Sequence, residues 1–529
     1  MAMKKDQPDL YADWTNLTQD VLFRIDQLLQ RLTEGNDLPP VSQVGSLLTA
    51  TFKPSPDLVI RTVETPAIKP QAALLAYLST IVDAKQVDQD VAAALISSPA
   101  PPDQWDRVPI SQAPVKRITT WKDVLQHLAQ GWTLIFAPEI TWAWGVDTTK
   151  FPSRSIGRPQ TELTIRGPMD AFTELLTTQM GQLRQRFHDP ALTFHPITLG
   201  QRQHTDVAVA YLRGLANPAL IDQIIQRLKT IDFDGRSNAS EIAGLIRDHP
   251  QSIFPTIRST ERVDIATRAL LEGKAVILVD GDPFILIAPA PLADFYRTAM
   301  DYSGAWYDVS FVRVIRLFGW IMGIYLPALY IALTEVNTNL LPPALLILIA
   351  GDHAGLPFTP LVEALLMVLV IEVLREAALR LPKALSTTIG TVGAIVVGTA
   401  VVKAGLVSPQ MIVVITLTAL SFYSVPVYDL TGTWRLVNAV MLLASAMLGL
   451  YGIIWVTMVV MGFLTDLTSF GTPYFVPFAP FRVTDWRDLF IRQPWTRFRR
   501  RLTTARPRDS RTMGHSHIVP PPHLKKERS

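Results

Sequence analysis

The 529-residue chain contains no cysteine, which removes disulfide frameworks, thiolate nucleophiles and cysteine-based metal sites together. Its nine histidines show no ligand spacing; His515 and His517 stand two apart in a polar, proline-rich tail and take no role. A P-loop, a GxGxxG opening a helix, HExxH and GxSxG are all missing. Nothing in the sequence argues for an enzyme, a cofactor or a bound metal. The first fifty residues also lack the basic-then-apolar order of a cleavable signal, so the N-terminal region is expected in the cytoplasm.

Charge, too, is missing from long stretches. Residues 317–334, 384–402, 404–428 and 436–465 hold no Asp, Glu, Lys or Arg and are dominated by Leu, Ile, Val, Ala and Met. A helix crossing ~30 Å of hydrocarbon needs about 20 residues, so these runs are expected membrane segments. Overall 48% of residues are hydrophobic, more than a soluble chain of this length needs. The run Leu341–Ala350 is too short to cross, and Gly351-Asp352-His353 interrupts it before a helix over 356–375. A re-entrant piece followed by a span fits this pattern, with an ordinary surface loop as the alternative.

The count of crossings stays open. Cytoplasmic Arg at both ends requires an even number, and the clear segments with the 356–375 helix make five. Either 436–465 is a hairpin broken near Gly449 and Gly452, or the proline-rich stretch 471–481 returns through the bundle.

Charge that is present is uneven. Residues 482–529 carry thirteen Lys or Arg against four Asp or Glu. Directly after a hydrophobic region such a tail marks the cytoplasmic side and anionic membrane lipids, not nucleic acid.

Five regions follow. Residues 1–50 form a helical arm with an amphipathic helix over Trp14–Leu32, ended by Pro39-Pro40. Residues 51–150 and 151–305 are two α/β subdomains, 306–481 a membrane helix bundle, and 482–529 a disordered basic tail. The fold class is an α/β soluble N-terminal region of two related subdomains, followed by an all-α polytopic membrane domain.

Within the first subdomain Ala72–Leu78 reads as a strand, Gln86–Ile96 and Trp121–Ala129 as helices, and Gly131–Val146 as a strand pair. In the second, Asp206–Leu212 reads as a strand, Pro218–Leu228 and Val263–Leu271 as helices, and Val276–Ile287 as a hairpin around Asp280-Gly281-Asp282. Tyr77-Leu78 parallels Tyr211-Leu212 at an offset of 134, and Leu128-Ala129-Gln130-Gly131 parallels Leu270-Leu271-Glu272-Gly273 at 142. These matches favour duplication over shared strand-turn-helix grammar.

Inside the apolar region, Glu372, Arg375 and Glu376 can pair at three- and four-residue spacing, which suits an interfacial helix end. Glu363 lies about half a turn around from Glu372 and deeper in the run, where an ionised carboxylate is expensive without a partner or water. It is the candidate pore-lining residue. Gly390, Ala394 and Gly398 place small side chains on one helical face for close helix packing.

The densest run of informative residues is Pro159, Thr161, Glu162, Ile165, Arg166, Gly167 and Pro168, continuing to Phe172 and Glu174. It resembles the signature of the GerA family, the A subunits of spore-germination nutrient receptors. Similar features recur from about 50 to 500, including Ala216-Asn217-Pro218, Leu326-Pro327-Ala328-Leu329-Tyr330, Glu363-Ala364-Leu365-Leu366-Met367 and Gly405-Leu406-Val407-Ser408-Pro409. Gly157-Arg158 and Met169-Asp170-Ala171 depart from the family pattern. Gly167-Pro168 points to a turn, so the motif reads as a hinge between the two soluble domains, with a helix over 169–187 after it.

The resemblance implies a receptor in the spore inner membrane, built with a transporter-like B subunit and a lipoprotein C subunit. It also implies a homo-oligomer that forms or gates an ion passage when nutrient binds the partner. The alternative is a non-conducting scaffold that relays the signal.

Overall fold

The computed structural model describes residues 38–68, 72–107, 115–151, 157–232, 238–380, 401–494 and 500–511. The arm helix Trp14–Leu32, the small-residue stripe Gly390, Ala394 and Gly398, nearly all of the 384–402 segment and the tail beyond 511 lie outside these. The chain divides into two compact units: Met1–Arg158, Asp170–Ile242 and Glu261–Leu286 form one, and Pro159–Met169, Ala243–Thr260 and Ile287–Ser529 the other.

Alternation builds the first sheet. Its strands are β1 (Leu58–Glu64), β2 (Ala72–Leu78), β3 (Val115–Ile118), β4 (Trp132–Phe136) and β5 (Ala143–Asp147), in the order β1-β2-β4-β5-β3. Successive residues of a strand face opposite sides. Leu75 and Tyr77 of β2 and Ile135 of β4 therefore join a cluster with Val87, Val91 and Trp105. Ala76, Leu78, Leu134 and Phe136 pack on the other side against helix α1 (Val41–Phe52) and helix α2 (Trp121–Ala129). Thr120 caps α2 by accepting the Asp123 amide at 3.1 Å.

The second sheet has β6 (Leu192–Leu199), β7 (Thr205–Leu212), β8 (Arg258–Thr260), β9 (Ala275–Val279) and β10 (Ile285–Ala288), in the order β6-β7-β9-β10-β8. Strand for strand this is the order of the first sheet. The registers agree as well. In the first sheet Leu74, Leu75 and Ala76 pair with Phe136, Ile135 and Leu134. In the second, Ala208, Val209 and Ala210 pair with Leu278, Ile277 and Val276. Adding 134 to the β2 positions and 142 to the β4 positions converts one list into the other. The two offsets read from the sequence are therefore one structural repeat.

Around the second sheet lie α3 (Leu176–Arg186), α4 (Pro218–Lys229), α5 (Ala239–Ile246) and α6 (Val263–Leu271). Pro218 at the first position and Asn217, which accepts the Ala219 amide at 3.1 Å, start α4. Helix α3 begins at Leu176, not at 169. The Phe172 amide donates to the Glu261 carbonyl at 2.8 Å and Ala171 bridges Arg262, so this backbone pairs laterally instead of coiling.

The helical part comprises α7 (Trp306–Ile331), α8 (Pro343–His353), α9 (Pro360–Arg380), α10 (Pro409–Tyr423), α11 (Tyr428–Leu448) and α12 (Leu450–Asp466). Among the described residues one stretch, Trp306–Val336, is long and apolar enough to cross a membrane. The expected run 404–428 is shortened because Ser408 caps α10 and Pro426 follows its end. The 436–465 run breaks at Gly449, whose φ of 59° lets α11 and α12 fold back on each other. That is the hairpin alternative. Residues 471–481 form turns around the two-residue strand Thr472–Pro473, which pairs with Thr468–Ser469, and not a helix.

Candidate functional site

Helix α9 places Glu363 in its first turn, and the residue is fully buried. Its neighbours are apolar: Ile331, Ala364, Met367, Met411 and Ile415 share one cluster. A carboxylate there needs donors. Ser408 supplies two, its backbone N–H and its hydroxyl both donating to Glu363 Oε2 at 2.9 Å. Because Ser408 is also the cap of α10, the carboxylate sits at the positive end of that helix.

The other oxygen is different. Glu363 Oε1 lies 3.5 Å from His353 Nε2, and neither atom has a hydrogen-bond partner among the described residues. His353 Nδ1 is 2.9 Å from the Ile349 carbonyl. A carbonyl only accepts, so the ring proton is on Nδ1, and in the neutral imidazole Nε2 is a second acceptor facing Oε1. A proton on Nε2 would turn this contact into an ion pair. The buried Gln410 Oε1, on a neighbouring element, has no partner among the described residues, and the buried Tyr330 hydroxyl lies at the Ser408 side chain. Asp352 and Gln410 hydrogen-bond, which ties α8 to α10.

Glu372 pairs with Arg375 at 3.2 Å, as its spacing predicts, and with Arg435 of α11 at 2.5 Å. The second partner is 63 residues away and gave no local signal. Glu376 pairs with Arg380, not Arg375.

A denser ionic cluster sits at the start of α7. Asp301 accepts from Arg313 Nε at 2.9 Å and from both terminal nitrogens of Arg316 at 3.0 Å. Arg313 Nη1 reaches Asp488 Oδ1 at 2.9 Å, and Tyr302 donates its hydroxyl to Asp488 Oδ2 at 2.6 Å. Burial pushes the Asp301 carboxyl up, but the hydrogen bond and charge of Arg316 and the charge of Arg313 outweigh it and hold the group at about 2. Burial raises the Tyr296 phenol to about 12, against the opposing pull of Arg316 and Arg313. No sequence spacing pointed to this cluster, since Asp488 lies far along the chain.

The motif residues are spread over a bent, non-helical segment. Pro159 and Phe172 are buried; Thr161, Ile165, Arg166, Pro168 and Glu174 are exposed. Glu162 lies 3.7 Å from Arg258 and accepts from the Thr260 hydroxyl at 3.2 Å. Gly167 has a φ of 107°, and a Cβ there would stand 2.6 Å from the Ser303 hydroxyl.

Residues 46–504 match the family model described as Bacillus/Clostridium GerA spore germination protein. The chain belongs to the GerA family. Spore germination protein B1 of Bacillus subtilis (strain 168) is 39% identical over 74% of this chain and 81% of that protein. Spore germination protein GerLA of Bacillus cereus is 37% identical over 76% and 82%. Uncharacterized membrane protein YfkQ of Bacillus subtilis (strain 168) is 33% identical over 73% and 75%. A crystal structure of the N-terminal domain of the A subunit of the Bacillus megaterium spore germinant receptor GerK3 is 26% identical, covering 48% of this chain and 97% of that one with a TM-score of 0.37. This GerA protein is thus an A-type spore germination subunit, with a two-sheet N-terminal region and a helical C-terminal part.

Proposed function

We propose that the chain is the A subunit of a nutrient receptor in the spore inner membrane, working with a transporter-like B subunit and a lipoprotein C subunit. Its N-terminal region and basic tail face the cytoplasm. Copies assemble, and their helices form or gate an ion passage when nutrient binds the partner. A ligand shifts such a gate only through different affinities for the closed and open states.

The observation that carries this reading is Glu363, a buried carboxylate latched by Ser408 on one oxygen and left acceptor-to-acceptor with His353 on the other. A group satisfied on one side and wanting a proton on the other suits an element with two arrangements. Apolar surface exposed along the helices supports membrane embedding: Phe318, Tyr451, Trp455 and Met458 are all more than 60% exposed.

One observation favours a second reading. Glu363 has no solvent exposure, as a packing residue in a non-conducting scaffold would. Glu363→Gln separates the two. In liposomes holding the full receptor, a gate predicts ion leak without nutrient raised on the order of tenfold, because the charged acceptor on Ser408 is weakened. Unchanged flux with intact assembly would leave the scaffold.

A further inference from the structure

A cavity of about 430 Å³ opens in the helical unit among the short helix Leu292–Tyr296, α7, α11, α12 and the aromatic segment 475–490. Small-molecule sites run from ~300 to ~1,000 Å³, and a dry cavity of only ~150 Å³ already holds benzene. The walls are aliphatic and aromatic. Four polar groups interrupt them, the Tyr296 and Tyr325 hydroxyls and the Trp320 and Trp434 indole N–H groups. Trp320 and Trp434 both line the cavity, their rings 5.8 Å apart, and both indole N–H groups are buried without an acceptor among the described residues. Trp434 is only 6% exposed, so water does not relieve it. Neither nitrogen is open to a water-sized group, so the cavity meets the carbon faces and edges of these rings and not their N–H groups. Tyr296, also in the wall, has already spent its hydroxyl on the Arg313 carbonyl.

The edge of the cavity shows where a ligand enters. Ile321 of α7 and Met461 of α12 belong to the wall yet are 47% and 40% exposed. Beside them on the same helices Phe318 and Met458 are 62% and 67% exposed. The mouth therefore opens onto apolar outer surface, and a hydrocarbon chain reaches it without crossing water.

We propose that this cavity binds one acyl chain of a membrane lipid. An apolar chain matches the aliphatic and aromatic wall and the apolar mouth. The inference rests on the membrane placement proposed above. Chain occupancy bears on Tyr296, whose ring meets Trp320 edge-on at 5.2 Å and lies 5.5 Å beneath the Arg316 guanidinium. The site thus adjoins the Asp301 ionic cluster.

The test uses full-length protein in bilayers doped with a phosphatidylcholine carrying a diazirine in its acyl chain, photolysed and mapped by peptide mass spectrometry. A parallel arm uses a diazirine-bearing fatty alcohol. The expected result is lipid labelling at Trp434, Val437 and Met441. It falls about tenfold in Val437→Phe, which fills the cavity. Circular dichroism confirms that the variant is folded. Labelling confined to outward residues such as Phe318 and Met458 overturns the cavity site and leaves the membrane placement standing. No lipid labelling on any helix overturns the placement and the site with it. Cavity labelling by the alcohol alone overturns the lipid as occupant.

Discussion

Arg184 of the second repeat grips Asp57 of the first with Nε at 2.9 Å and Nη2 at 3.1 Å, and neither side chain is exposed. The guanidinium lies 5.7 Å from the Phe52 ring and 5.0 Å from the Phe194 ring, one from each repeat. Its remaining nitrogen donates to the Leu192 carbonyl at 2.8 Å. The pair is the polar fastener between two duplicated sheets.

Breaking such a pair leaves an uncompensated charge, so Arg184→Met is expected to destabilise by ~3–5 kcal/mol. Adding Asp57→Asn removes the orphaned charge and is expected to restore most of that loss. Urea unfolding of the single and double variants checks it. Equal losses in both would show that aromatic packing, not the charge pair, joins the repeats.

The Asp301 carboxyl, held at about 2 against an ordinary 3.8, makes stability depend on acid. A depressed carboxyl adds stability that is complete above its unfolded value and disappears as pH falls through its folded value. The expected loss therefore falls between about pH 4 and about pH 2, and Asp301→Asn abolishes that part of the profile. Thermal melts across this range, compared between wild type and variant, measure it.

At Gly449 a Cβ would stand 2.0 Å from Asn337 Oδ1, the acceptor of the Leu450 amide at 2.9 Å. Gly449→Ala meets both this contact and a positive φ, at ~1–3 kcal/mol. The expected outcome is a lower melting temperature and faster proteolysis at the α11–α12 turn. A melting temperature equal to wild type would contradict the geometry.

Ser408→Ala removes a hydroxyl that donates to Glu363 and accepts the Met411 amide at 3.3 Å. A loss of ~1–3 kcal/mol is expected, with Ser408→Thr close to wild type. Detergent-phase thermal unfolding distinguishes the two substitutions.

What the sequence revealed of the sheets follows burial. The strands legible in advance, β2, β4, β5, β7, β9 and β10, are all interior, and β9 is buried at every position. Two-sided burial leaves a plain apolar run. The strands without a sequence signal, β1, β3, β6 and β8, are the four edges. Arg61 and Glu64 in β1, Lys116 and Arg117 in β3, and Pro196 in β6 break their patterns, as solvent-facing edges permit. Around the candidate site, cost alone singled out Glu363. Its partners Ser408 and His353 come from separate helices, and no spacing rule joins residues brought together only by packing.

Ion flux through the reconstituted chain tests the central claim most directly. Full-length protein with the proposed B and C partners is placed in liposomes, and assembly mass is recorded alongside cation release on nutrient addition. The account predicts oligomers whose flux rises with nutrient and whose resting leak changes in Glu363→Gln. Oligomers that never conduct, with every partner and nutrient present, would contradict it.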